Sequence, residues 1–192
     1  NHFAFYGAYH SNPINILIHT LFVWPIFFTS LILFYFTPAF CDLSQSGIFP
    51  SGFNHALVLN YGSAFSIFLG LFYVVLDKKA GSLAALLCLA CWVGASFIAA
   101  KLGYSLAWKV VLVSQLLCWT GQFLGHGIFE KRAPALLDNL VQALLMAPFF
   151  VLLEVLQSLF GYEPYPGFQM RVNAKIKAEI KEWQDKKQKK VS

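Results

Sequence analysis

The sequence predicts an all-α integral membrane protein: a bundle of four transmembrane helices, a fifth segment broken by proline, and an amphipathic basic helix at the C-terminus. Three observations predict it. Of 192 residues, 58% are hydrophobic and only 12% charged, where a soluble domain carries about a quarter charged residues. Apolar runs long enough to cross ~30 Å of hydrocarbon recur along the chain, with charged clusters between them. The net charge of +5 is also concentrated: from Phe168 onward there are eight Lys/Arg and three Asp/Glu, and the remaining six basic and six acidic residues cancel. The basicity belongs to a tail and gives no reason to expect nucleic acid as a partner. On this reading residues 1–167 form one transmembrane domain and residues 168–192 a basic cytoplasmic tail.

The chain opens on an aromatic entry (Phe3, Phe5, Tyr6, Tyr9) suited to a membrane interface. Asn12 followed by Pro13 reads as a helix N-cap and first helical residue, where the missing proline N–H costs nothing. The first span then runs from about Ile14 to Phe36, bent at Pro25 and ending before Pro38. A loop over 37–55 leads to a second span, about Ala56 to Leu76, whose Gly62 and Gly70 allow close helix approach. Asp77-Lys78-Lys79 ends it. The third span, Ala80 to Ala100, is an uncharged run between lysines, and the fourth runs from Val110 to about Phe129, stopping at Glu130-Lys131-Arg132. The four cysteines imply no disulfide framework, and Cys88-Leu-Ala-Cys91 sits in an apolar run, where small helix residues are the expected reading.

The fifth apolar segment, Leu136 to Phe160, carries Asp138, Asn139, Gln142 and Glu154 and has Pro148 near its middle. Two half-helices of about a dozen residues are too short to cross singly, so a re-entrant or interfacial hairpin is preferred over a kinked crossing helix. Charge supports that count. Four alternating spans with Lys78 and Lys79 in the cytoplasm put the N-terminus, Lys131 and Arg132 there too. A fifth segment that dips and returns adds the basic tail, as the positive-inside rule requires. In the tail Val172, Ile176, Ile180 and Trp183 recur at near-helical spacing among lysines, the pattern of an amphipathic helix on an anionic leaflet. A solvated coil is the alternative. Lys189 and Lys190 stand third and fourth from the end of the sequence, the position of a dilysine signal read by a retrieval coat of the endoplasmic reticulum if Ser192 is the natural terminus.

Histidines in apolar helices are costly to leave idle. His19 lies about 9 Å down the first helix from Pro13, and His126 lies about 7–8 Å from the Lys131 end of the fourth, at ~1.5 Å per residue. His10 is at the same membrane face. Antiparallel helices therefore present His10, His19 and His126 at one depth, and three imidazoles at one level suggest a metal site. A structural, hydrogen-bonded histidine is the ordinary alternative for each taken singly. His2 stands at the chain end and His55 falls across the membrane, so neither joins the set. Glu130, one turn after His126, either completes a facial triad as a carboxylate ligand or anchors its helix end. Asn15, Asp138, Asn139 and Gln142 are candidate partners for the imidazoles, fixing their tautomers, or else polar glue between helices. Five histidines are too few for the histidine-rich di-iron arrangement of membrane desaturases. A bis-histidine haem stays open. Phosphate loops, nucleophile elbows and HExxH are missing from the sequence.

Three blocks carry a family resemblance: Phe5-Tyr6-x-x-Tyr9-His10-x-Asn12-x-x-Asn15-x-x-Ile18-His19; Gln122-Phe123-x-Gly125-His126-x-x-Phe129-Glu130-Lys131-Arg132-x-Pro134-Ala135-Leu136-x-Asp138-Asn139-Leu140; and Ala147-Pro148-x-Phe150. Together they resemble the 2-hydroxy fatty acid dioxygenase family over most of the chain except the basic tail and loop 37–55. The resemblance implies an endoplasmic reticulum membrane enzyme dependent on Fe2+, with both termini cytoplasmic, acting in fatty acid α-oxidation downstream of phytosphingosine breakdown. Its substrates would be a 2-hydroxy fatty acid and O2, its products CO2 and the acid one carbon shorter. The family's essential histidines correspond to His10, His19 and His126. For Lys131 and Arg132 two readings stand: a partner for the substrate carboxylate, or a positive-inside anchor at the helix end. The competing reading is a non-catalytic scaffold or lipid-binding protein whose histidines are structural or bind zinc.

Overall fold

Asn12 starts the first helix as its sequence suggests: its side-chain oxygen accepts the Ile14 N–H at 2.9 Å, and α1 runs Pro13–Phe34. The structure, a computed structural model, describes residues 10–42, 57–131 and 140–191. His2, His55, Arg132, Asp138 and Asn139 lie outside the described residues, as do the side chains of Gln142, Lys189 and Lys190. Six α-helices account for most of what is described, with one two-stranded antiparallel ladder pairing Cys41 with Leu59 and Asp42 with Val58 (β1, Cys41–Asp42; β2, Val58–Leu59).

By contact the chain divides into two compact units, Leu21–Gly121 and the combination of Asn1–Thr20 with Gln122–Ser192. In the first of these, α1 continues through Pro25, whose carbonyl accepts the Thr29 hydroxyl at 2.7 Å. The second span begins later than its hydropathy suggested. Val58 and Leu59 are extended, and α2 occupies Tyr61–Leu76. The reason is Asn60, which forms a capping box with Ser63 and donates through Nδ2 to the Tyr35 carbonyl at 3.1 Å. At 16 residues α2 spans only about 24 Å.

Asp77 alone connects α2 to α3, Lys78–Leu102. Its N–H reaches back to the Tyr73 carbonyl, and its carboxylate takes the N–H groups of Lys79 and Ala80 at 2.9 and 2.7 Å. So short a link forces the two helices together, and small residues make room: a Cβ on Gly81 would overlap the Tyr73 carbonyl, and one on Gly70 would sit 3.1 Å from the Ala85 methyl. Cys88 is buried in α3 and Cys91 is half-buried, both as free thiols, as expected for small helix residues. Gly103, with φ +66, ends α3 in a conformation that suits glycine, and α4 follows at once over Tyr104–Leu124. The fourth segment thus starts six residues before the expected Val110. Gln115 of α4 ties itself to α1: its Nε2 lies within donating distance of the Ile26 carbonyl (3.0 Å), Thr29 Oγ1 (2.8 Å) and Ser30 Oγ (3.1 Å), while its oxygen accepts the Trp119 indole N–H.

In the other unit α4 passes into a π-helical turn, Gly125–Glu130. Next comes α5, Leu140–Phe160, which corrects the Pro-broken hairpin: the segment is one 21-residue helix with Pro148 inside it. A proline in a helix removes one backbone hydrogen bond and need not end the helix when packing holds both halves. Here Met146, Phe149, Phe150, Val151, Leu152 and Leu153, on either side of Pro148, are all buried. Glu163 then caps the start of α6, Phe168–Val191, accepting the N–H groups of Gly167 and Gln169, each at 3.1 Å. The tail is therefore helical, not coil, and Val172, Ile176, Ile180 and Trp183 are less exposed than the lysines between them. Two helices among the described residues, α1 and α3, are long and apolar enough to cross a membrane.

Candidate metal centre

Three segments of one unit converge on three histidines. His10 lies two residues ahead of the Asn12 cap, His19 lies in the second turn of α1, and His126 is the second residue of the π-turn. Their rings form a near-equilateral triangle, with centroids 4.3 Å apart for His10–His19 and 4.9 Å for each ring to His126. Each pair meets edge to face, at 71–77°. All three are buried, at 5, 4 and 3% exposure, and one ligand atom from each lies within 4.8 Å of the other two. The depth match drawn from helix rise is therefore realised in space.

The chemistry of the donors suits a metal ion. His19 Nδ1 lies 3.0 Å from the Asn15 carbonyl, an oxygen that can only accept, so Nδ1 carries the proton and Nε2 keeps its lone pair. That is the usual way a ligand imidazole is oriented by a group behind it. Asn15 does this with its backbone. Its side chain, fully buried, instead donates to Glu130 Oε1 at 3.2 Å.

Glu130 is placed differently from a ligand. Oε1 accepts the backbone N–H groups of Ser11 and Asn12, both at 2.7 Å, and Oε2 accepts the Ser11 hydroxyl at 2.9 Å. The carboxylate thus sits on the N-terminus of α1, where the unpaired N–H groups and the helix dipole favour negative charge. The group of mutually close ligand atoms among the described residues consists of the three histidines without it. Lys131 is exposed and closes the π-turn with φ +52, its N–H reaching the His126 carbonyl.

Two features of the site escaped the sequence reading. One is the π-turn itself, a form that often marks functional positions. The other is Gly125: a Cβ there would overlap Asn15 Oδ1, so glycine before His126 lets the π-turn sit against the Asn15 side chain without displacing it. Glycines on both sides of a histidine near a helix end were the available signal.

Comparison with known proteins identifies the family. The model of a family described as 2-hydroxy-palmitic acid dioxygenase Mpo1-like matches residues 1–159. The chain belongs to the Mpo1-like family. It is 34% identical over 177 residues to 2-hydroxy-palmitic acid dioxygenase MPO1 of Saccharomyces cerevisiae, covering 92% of this chain and 86% of the yeast protein. No solved structure matches the chain. Membership among Mpo1-like dioxygenases decides between the two classes raised by the sequence: the protein is an enzyme, and the non-catalytic scaffold is set aside. The matched span contains all three histidines, Asn15, Gly125 and Glu130.

Proposed function

We propose that the protein is an Fe2+-dependent dioxygenase that converts a 2-hydroxy fatty acid and O2 to the fatty acid one carbon shorter, CO2 and water. The observation that carries this reading is the buried triangle of His10, His19 and His126 in a chain of the Mpo1-like family. These three residues would hold the iron, and when bound it supplies the O2 activation and electron transfer that side chains cannot. The reaction balances with nothing added. The C1–C2 bond breaks, C1 leaves as CO2, and C2 rises from a secondary alcohol to a carboxyl. Those changes release four electrons, the number that reduces one O2, so no external reductant or second organic substrate is needed.

The residues around the triangle serve this chemistry in identifiable ways. Three neutral imidazoles leave the charge of a bound divalent ion uncompensated, which favours an anionic substrate. The burial of the rings excludes bulk water. Lys131, exposed at the end of the π-turn, and Arg132 beside it in sequence are the candidate partners for the substrate carboxylate. Asn15 orients His19, and Asp138, Asn139 and Gln142 are candidates for the same service to the other two rings.

The proposed setting is the endoplasmic reticulum membrane, with the chain crossing it four times through α1 to α4 and α5 held without crossing. That keeps Lys78, Lys79, Lys131 and the basic α6 on the cytoplasmic side, with both termini there. Lys189 and Lys190 would be available to a retrieval coat, and the acyl chain of the substrate would enter from the surrounding lipid. The decisive experiment is anaerobic reconstitution with Fe2+ followed by addition of a 2-hydroxy fatty acid. Wild-type protein should hold about one iron per three-histidine site and consume O2 and release CO2 in equal amounts without added cosubstrate. His126→Ala should lose iron and turnover together, while His55→Ala keeps both. Equal loss in the two variants, or turnover by iron-free protein, would refute the assignment.

A further inference from the structure

Glu130 is hydrogen-bonded to residues beside His10 and His19. It sits in the π-turn with His126. Its two oxygens receive the Ser11 N–H, the Asn12 N–H and the Ser11 hydroxyl, which follow His10 directly in the chain. It also receives the side chain of Asn15, whose own carbonyl orients His19. All three histidine-bearing segments are thereby joined to one carboxylate. We propose that Glu130 is a positioning residue, a charged buckle that assembles the three histidines into one site and is not itself a ligand. This inference rests on the three-histidine metal reading.

The physical argument has three parts. First, Ser11 and Asn12 lie at the start of the helix, where backbone N–H groups have no partner within the helix, and the Glu130 carboxylate takes them. Second, the contacts to the Ser11 and Asn12 N–H groups are 2.7 Å long, in the range of hydrogen bonds strengthened by a full charge. Third, four donors occupy the two oxygens of the carboxylate. To turn toward an ion it would have to release backbone N–H groups at a helix start. The buckle also keeps the ligand set neutral, so that the proposed preference for an anionic substrate depends on Glu130 staying where it is.

The test uses the full chain in detergent, as wild type, Glu130→Ala and Glu130→Gln, titrated anaerobically with Co2+ as a coloured stand-in for iron. Outer partners of metal ligands typically contribute ~10- to 100-fold in affinity. Glu130→Ala should weaken Co2+ binding by about that factor, and Glu130→Gln, which keeps one acceptor oxygen, by about tenfold or less. At saturation both should show the wild-type visible absorption bands, since the ligands are unchanged. Wild-type affinity in Glu130→Ala would overturn the proposal. So would bands shifted in both variants, the mark of a lost carboxylate ligand. Hydrogen exchange without metal separates this inference from the metal reading. The Ser11 and Asn12 amides should exchange at least about tenfold faster in both variants, charge assistance being a large part of each bond, while the amides of α3 keep wild-type rates and report an intact fold. If wild type binds no Co2+, the metal reading fails. Unchanged exchange at Ser11 and Asn12 would then refute the buckle separately.

Discussion

At the scale of single residues, the site turns on how closely the π-turn approaches the side chains of α1. Gly125 is the point of contact: an added methyl would meet Asn15 Oδ1, and the Ile18 side chain lies 3.4 Å from the same position. Gly125→Ala should therefore displace Asn15 and with it the carbonyl that orients His19. Overpacking of this kind costs about 1–3 kcal/mol. The expected outcome is a lower thermal midpoint together with loss of metal, read by denaturation and by metal analysis of the same sample. Retention of wild-type iron content would mean that Asn15 can move without disturbing His19. The sequence allowed His10, His19 and His126 to be chosen, because helix rise alone puts two of them at one depth. It left Glu130 undecided between ligand and anchor. That choice depends on the direction of a side chain at a helix end, and a one-residue change of helical register there alters the direction.

At the scale of elements, the termini of the helices are set by polar side chains that hydropathy passes over. Asp77 closes α2 and opens α3 with a single residue. Asp77→Ala should cost about 1 kcal/mol through loss of the cap and leave iron binding intact, because the three histidines belong to the other compact unit. A thermal shift with unchanged metal stoichiometry would meet that expectation, and loss of iron would contradict it. Asn60 has the same kind of effect: it ends the extended residues Val58 and Leu59 and places the start of α2 at Tyr61. The expected first residue, Ala56, followed from apolar character, which β2 shares. Pro148 illustrates the opposite error. Proline in an apolar run predicts a break, but buried residues on both sides of it keep α5 continuous.

At the scale of the whole molecule, the continuous α5 makes topology a measurable matter. Its 21 residues extend about 31 Å, and among the described residues the segment does not double back as a hairpin. The eight basic residues beyond Phe168 favour the cytoplasmic side. A label accessible only from the cytoplasm, placed before His2 and after Ser192 in separate proteins, should react in both cases in sealed microsomes. Protection of the C-terminal label alone would mean that α5 crosses and that the proposed site and the basic tail lie on opposite faces.

Sequence alone determined the helical class, the basic amphipathic tail and the three histidines, since each depends on periodicity, composition or rise along one helix. Only the tertiary structure decided what Glu130 holds, why residue 125 is glycine and whether Pro148 divides its helix. Those answers depend on which groups from distant parts of the chain meet, and no local pattern encodes that meeting. Burial and shared hydrogen bonds outweigh the local preferences of a proline or a carboxylate.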